Sequence, residues 1–154
     1  MKQIVNIEVN GDVHEVAAEP RDSLLEVLRD HLGLVGPKRG CDGGGCGCCT
    51  VLLDGRAVYS CMVYVLSAEG SAVTTVEGLA EDGQLNPLQS AFVEAGAVQC
   101  GYCTPGMIMT ATELLADGED LDDDEIRHGI AGNLCRCTGY QKIVDAVQNV
   151  ARNR

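Results

Sequence analysis

Nine cysteines constrain this chain more than any other feature, because they are clustered and not scattered through its 154 residues. Five lie between positions 41 and 61, and four form a C-x2-C pair and a C-x-C pair in the second half. Small domains with marginal cores often use metal cross-links, which would explain such clustering. The sequence starts directly with a strand pattern and no apolar leader, so we expect a cytoplasmic chain with reduced thiols.

The first group of cysteines has the C-x4-C-x2-C spacing, with a fourth cysteine further along: Cys41, Cys46, Cys49 and Cys61. This is the plant-type ferredoxin spacing for a [2Fe-2S] cluster held by four thiolates. Glycines in and beside this segment permit positive φ angles and close backbone approach. The spacing therefore predicts a first [2Fe-2S] site. We expect the remaining Cys48 to pack as a small buried apolar residue, since it would point away from Cys49 in an extended segment.

Two other kinds of site fit the first group poorly. A phosphate-binding loop would end in Lys-Ser or Lys-Thr and continue into a helix, whereas Thr50 opens a strand pattern. A zinc site built from C-x2-C knuckles would leave Cys41 unused, and the nearest second knuckle lies about 50 residues away. Both alternatives are therefore disfavoured.

The second group combines two short motifs, each of which is weak alone: Cys100, Cys103, Cys135 and Cys137. We predict that both pairs lie at helix N-termini, where free N–H groups and the helix dipole stabilise thiolates. Four ligands on facing helix ends could hold a [2Fe-2S] cluster or zinc, and the C-x2-C pair could act as a redox dithiol. Spacing favours the cluster but leaves these alternatives open.

The pattern of apolar residues predicts an α+β first half and a helical second half. Asn10-Gly11 and Asp54-Gly55 predict two hairpins, Ser23 is expected to cap a helix that ends near Gly33, and SAVTTVEG adds a β-rich segment. We interpret residues 1–76 as one α+β domain with a mixed sheet packed on a helix.

Residues 77–154 are predicted to form a four-helix domain. Asn86-Pro87 and Thr104-Pro105 are start signals for the first two helices, the second of which is expected to continue to Gly118. A third short helix is expected to end at Gly132, and the last follows from Gly139 with helical spacing of its apolar residues.

Charge and hydropathy exclude two classes of partner. The formal net charge of -12 repels phosphate backbones, so we expect no nucleic-acid site. No apolar run approaches the roughly 20 residues that a transmembrane helix needs. Any contact with a membrane would therefore come through a partner.

The whole chain resembles the small iron-sulfur subunit of the molybdenum hydroxylases, the xanthine dehydrogenase family. The resemblance rests on the joint occurrence of GCDGGGCGCCTVLLDG, QCGYCTPGMI and GNLCRCTGY. It implies an N-terminal β-grasp plant-type ferredoxin domain followed by a C-terminal four-helix-bundle [2Fe-2S] domain. It also implies that the first group of cysteines holds the cluster nearer the flavin and the second group the cluster nearer the molybdenum.

The resemblance further implies that Gln99 and Cys137 contact the pterin of a molybdopterin cofactor held by a large partner subunit. A medium subunit would bind FAD, in a heterotrimer or a dimer of heterotrimers. The chain would relay single electrons during hydroxylation of a substrate, most often an N-heteroaromatic or an aldehyde, and would contain no catalytic residue. Two alternatives are a free-standing two-cluster ferredoxin and a zinc-stabilised adaptor.

Overall fold

The structure is a computed structural model that describes residues 1–116 and 121–153. Its five strands form one mixed sheet in the order β2-β1-β5-β3-β4. β1 pairs antiparallel with β2 and parallel with β5, and β3 lies antiparallel between β5 and β4. The strands are β1 Gln3–Val9, β2 Asp12–Ala18, β3 Thr50–Leu53, β4 Arg56–Tyr59 and β5 Ala72–Thr74.

Both predicted hairpins are confirmed. Asn10 and Gly11 have φ angles of 54° and 88°, and Asp54 and Gly55 have φ angles of 50° and 81°. Two consecutive residues with positive φ form the tight turn whose twist matches that of antiparallel strands, which explains the Asn-Gly and Asp-Gly pairs.

The predicted helix start at Ser23 is confirmed, but the helix is not α-helical throughout. Helix α1 covers Leu24–Glu26 and continues as one π-helical turn over Val27–His31. The Ser23 hydroxyl accepts from the Glu26 N–H, and the Glu26 carboxylate accepts from the Ser23 N–H at 2.8 Å. The π-helical turn ends where the Leu32 N–H donates to the Val27 carbonyl at 3.1 Å, just short of Gly33.

Four α-helices make up the second half of the described chain: α2 Pro87–Glu94, α3 Thr104–Ala116, α4 Asp123–Gly129 and α5 Gln141–Arg152. Asn86 caps α2 through its side chain, and α3 starts at Thr104, as predicted. The expected end of α3 at Gly118 lies outside the described residues. Helix α4 ends at Gly129, earlier than the predicted Gly132, because Ile130 has left helical geometry. No helix among these elements combines the length and hydrophobicity that a bilayer span requires.

Two hydrophobic cores meet along the cysteine-rich loops. One core lies between the sheet and α1 and contains Val5, Ile7, Leu28, Val51 and Val73. The other lies among the four helices and contains Leu88, Phe92, Met107, Ile143 and Val147. Cys48 belongs to the helical core although it lies in the loop before β3. The glycine-rich loop thus contacts both halves of the chain.

Candidate metal centres

The first group of cysteines surrounds the loop between α1 and β3. Cys41 is exposed, Cys46 is half-buried and Cys49 is buried. Cys61 lies on the short 3-10 helix Ser60–Met62, which directly follows β4. The β3–β4 hairpin therefore returns the chain to the loop and brings the fourth cysteine close to the third, since the Ser60 N–H donates to the Cys49 carbonyl at 3.3 Å.

Backbone N–H groups of the glycine loop point at Cys41. The Gly43 N–H donates to Cys41 Sγ at an N···S distance of 3.5 Å. That bond, followed by the thiol of Cys46 and the N–H of Gly45, lowers the pKa of Cys41 to about 7. Because the thiolate is the form that binds a metal, the loop prepares Cys41 for ligation.

Close packing explains why glycines occupy this loop. A Cβ on Gly40 would lie 2.8 Å from Cys46 Sγ, and one on Gly47 would lie 2.6 Å from the Gly132 carbonyl oxygen. Gly47 also has a φ of 70°, which other residues rarely adopt. The loop can therefore wrap closely around its sulfurs and contact the second half of the chain.

Cys49 is a contrasting, buried member of the first group. Burial raises the pKa of Cys49 to about 11. The neighbouring Ser60 hydroxyl donates to the Cys49 carbonyl at 2.7 Å and fixes the backbone there. A metal ion bound at this position would deprotonate the thiol and release a proton.

The second group of cysteines forms two close pairs. The Sγ atoms of Cys100 and Cys137 are 3.5 Å apart at the surface. The buried Cys103 and the half-buried Cys135 line the same small cavity, and burial raises the pKa of Cys103 to about 12. Cys103 directly precedes the first residue of α3, as predicted. The same prediction was wrong for Cys135 and Cys137, because residues 138–140 separate Cys137 from the start of α5.

Thr138 supports one of these sulfurs directly. Its hydroxyl lies 3.0 Å from Cys135 Sγ, and its N–H donates to the same sulfur at 3.5 Å. Burial opposes ionisation of Cys135, but these hydrogen bonds outweigh burial and hold the pKa of Cys135 below its ordinary value. The turn before α5 therefore stabilises a thiolate.

A cavity of about 160 Å³ lies between the sulfurs of the second group. All four cysteines of that group line it, together with Cys48, Tyr102, Leu134 and Arg136. Cys48 is 7% exposed, so the prediction that it is buried is confirmed. Cys48 was expected to point away from Cys49 in an extended segment, and this part of the prediction was wrong, because residues 48 and 49 lie in a turn.

The donor set fits a two-iron cluster. The sulfurs of Cys100 and Cys137 form a close pair, and a [2Fe-2S] cluster held by four cysteines needs two thiolates on each iron. Four neutral or anionic sulfurs around an apolar cavity also match the soft ligands that iron-sulfur clusters take.

Gln99 lies at the surface beside the second group of cysteines. Its side chain is exposed directly before Cys100. Val98, Tyr102 and Leu134 expose 39%, 44% and 55% of their surface around it. This mixture of a polar amide, exposed thiols and apolar side chains is typical of a surface that another subunit covers.

Sequence reasoning missed the residues that join the two groups. Buried Asn133 bonds the glycine loop, and Tyr59 donates to the Gly132 carbonyl at 2.9 Å. A lone asparagine after a helix gives no local signal of such contacts. Thr138 could have been found, because it lies three residues after Cys135 and threonine often makes hydrogen bonds at such short separations.

Two family models match the chain in succession. The description "2Fe-2S iron-sulfur cluster binding domain" matches residues 7–82, and "[2Fe-2S] binding domain" matches residues 75–148. Together with the observed sheet and helices, these matches confirm the predicted fold class, a β-grasp domain followed by a helical [2Fe-2S] domain.

Relatives extend over nearly the whole chain. The nicotinate dehydrogenase small FeS subunit of Eubacterium barkeri is 49% identical over 96% of this chain and 94% of its own length. The xanthine dehydrogenase iron-sulfur-binding subunit of Escherichia coli O157:H7 is 46% identical over 97% of this chain and 95% of its own length.

A solved structure agrees with both relatives. Quinoline 2-oxidoreductase from Pseudomonas putida 86 contains a chain that is 43% identical, with a TM-score of 0.93, over 99% of this chain and 97% of that one. The resemblance inferred from the cysteine motifs is therefore confirmed. This chain belongs to the small iron-sulfur subunits of the molybdenum hydroxylases, the xanthine dehydrogenase family, and is an electron-transfer subunit with two [2Fe-2S]-binding domains.

Proposed function

We propose that the two groups of cysteines are the ligands of the two clusters, and that the observed thiol pairs correspond to individual irons. The two irons of the first cluster would bind Cys41 with Cys46 and Cys49 with Cys61. The two irons of the second cluster would bind Cys100 with Cys137 and Cys103 with Cys135. The 3.5 Å contact between the sulfurs of Cys100 and Cys137 is the observation that carries this proposal.

The clusters would relay electrons between a molybdopterin cofactor in a large subunit and FAD in a medium subunit. When bound, each [2Fe-2S] cluster accepts and releases one electron, so a two-electron oxidation is divided into single steps. The chain's own residues hold the sulfurs, donate N–H bonds to them and exclude water. Free thiols stay reduced in the cytosol, and we propose a cytoplasmic complex.

The two ends of the relay differ in their exposed residues. Cys100, Cys137 and Gln99 are exposed together at the second group, which supports contact of Gln99 and Cys137 with the pterin. The Gln99 amide both donates and accepts, as a pterin edge requires. Cys41 is exposed at the first group, which supports transfer to the flavin there.

The substrate would be bound by the large subunit, and we propose an N-heteroaromatic or an aldehyde. Relatives named for nicotinate and xanthine dehydrogenation support the first class, and the aldehyde oxidoreductase subunit PaoA of Escherichia coli supports the second.

We place the boundary between the two domains of this chain near residue 76, within the short 3-10 helix Val76–Leu79 that touches the helical core.

Metal and cofactor analysis of the protein purified with its associated subunits tests this function. We expect about four irons and four acid-labile sulfides per chain, because each of two clusters contains two of each. Molybdenum and FAD should co-purify in stoichiometric amounts with two larger polypeptides.

The same measurement separates the rival functions. Zinc in place of iron would support a zinc-stabilised adaptor and contradict both clusters. Full iron in a monomer that carries neither molybdenum nor FAD would support a free-standing ferredoxin and overturn the proposed relay.

A further inference from the structure

Asn133 lies at the centre of the contact between the two halves of the chain. It is 2% exposed and lies in the loop between α4 and α5, two residues before Cys135. Its Nδ2 donates to the Gly47 carbonyl at 2.9 Å and to Thr50 Oγ1 at 3.2 Å. Its Oδ1 accepts from the Thr110 hydroxyl at 2.8 Å. One buried amide thus joins the glycine loop, β3 and α3.

Close backbone contacts surround this amide. A Cβ on Gly106, in the first turn of α3, would lie 2.3 Å from the Gly47 carbonyl oxygen and 3.1 Å from Cys48 Cα. The Leu134 N–H donates to the Cys46 carbonyl at 2.8 Å. Cys46 belongs to the first group of cysteines and Leu134 is the neighbour of Cys135 in the second, so the two ligand loops are held against each other.

The amide is well suited to hold this contact because its polar atoms are satisfied in a buried place. A hydrogen bond of this kind contributes a modest net stability, whereas an unsatisfied buried partner costs more than the bond itself contributes. A change that removes one partner therefore favours separation of the loops, since separation admits water to the unpaired groups. The contact resists small displacements that a purely apolar interface would tolerate.

We propose that Asn133 is a positioning residue that fixes the distance between the two clusters, and with it the rate of electron transfer between them. The inference rests on the proposed ligands and deepens the proposed relay. We call Gly47, Thr50, Gly106, Thr110 and Asn133 the inter-cluster clamp. Asn133 itself touches no reacting atom and acts through the loops that carry Cys46 and Cys135.

The test measures the magnetic interaction between the two clusters. In the dithionite-reduced protein, purified with its associated subunits, each cluster carries an unpaired spin, and low-temperature electron paramagnetic resonance reports their dipolar splitting. That splitting falls with the cube of the distance between the spins. Melting temperature and iron content are measured on the same samples.

Three variants disturb the clamp in different ways. Asn133→Asp keeps the size of the side chain but turns a carboxylate oxygen toward the Gly47 carbonyl, which repels it. Thr110→Val removes one hydroxyl, and Gly106→Ala forces the two backbones apart. Thr112→Val is the matched control, because Thr112 lies on the same helix but bonds only the Ile108 carbonyl of its own helix.

We expect all three clamp variants to lose part of the splitting and to slow reduction of the first cluster, while Thr112→Val keeps the wild-type splitting. Unchanged splitting in the clamp variants, with or without a lower melting temperature, would overturn the proposal. If Asn133→Asp does not retain both clusters, Thr110→Val and Gly106→Ala decide the question alone. Fewer than about four irons in the wild-type chain would instead contradict the proposed clusters themselves.

Discussion

Cys48 and Cys49 are adjacent in sequence but face different surroundings. Cys49 lies close to Cys61 of the first group, while Cys48 lines the cavity of the second group. The Cys48 thiol lies 3.9 Å from the Cys46 carbonyl, and burial raises the pKa of Cys48 to about 12. A thiol held protonated in an apolar wall behaves as a small hydrophobic side chain.

The two neighbouring cysteines are expected to respond differently to the same substitution. Cys48→Ala should keep about four irons per chain, whereas Cys49→Ala should lose about two, because only Cys49 is a proposed ligand. Iron and acid-labile sulfide measured on both purified variants check this. A loss of about two irons in Cys48→Ala would make Cys48 a ligand.

At the scale of elements, the start of α1 depends on a reciprocal pair of side-chain caps. Ser23 and Glu26 each accept a hydrogen bond from the other's backbone N–H. The Ser23 N–H, followed by the Ser23 hydroxyl, lowers the pKa of Glu26. These caps satisfy N–H groups that the first helical turn leaves unpaired. They position Leu24 and Leu25, which are both almost fully buried.

Ser23→Ala should therefore lower the free energy of unfolding by about 1 kcal/mol, the usual cost of an N-cap deletion. Chemical denaturation followed by circular dichroism measures the change. Ser67→Ala is the matched control, because Ser67 is exposed, and it should be nearly neutral. Equal effects of the two substitutions would show that the cap contributes little.

At the scale of the whole molecule, the proposed clusters lie where the two cores meet and where the chain has little regular secondary structure. The residues that carry the first three cysteines form bends and a turn, and residues 133–140 form irregular loop. Few strand or helix hydrogen bonds hold these segments, so bound metal would supply much of their stability. Metal binding free energy then becomes folding free energy.

Removal of iron should open these two segments before the rest of the chain. Trypsin is expected to cleave after Arg39 and Arg136, both exposed beside proposed ligands, faster in the iron-free chain than in the intact one. Cleavage after Arg21, whose side chain is 84% exposed far from the cysteine groups in sequence, provides the control. Mass spectrometry of the fragments over time checks the order. Equally faster cleavage after Arg21, Arg39 and Arg136 would indicate global unfolding and contradict the local opening predicted here.

The sequence alone predicted the elements and the family. Turn pairs such as Asn10-Gly11, caps such as Ser23 and Asn86, and the cysteine spacings act within a few residues, so local chemistry decides them. The π-helical turn after α1 and the early end of α4 were not predicted, because packing overrides propensity at helix ends.

The sequence determined which residues carry the chemistry, and only the tertiary structure decided how they are brought together. Cys48 was correctly expected to be buried, but its place in the wall of the second group depends on how the helical half packs on the glycine loop. Asn133, Gly106 and Gly47 have no shared local pattern, since their contacts join segments far apart in the chain. Local rules determine single elements, whereas the distance between two cofactor sites depends on the surfaces that meet between them.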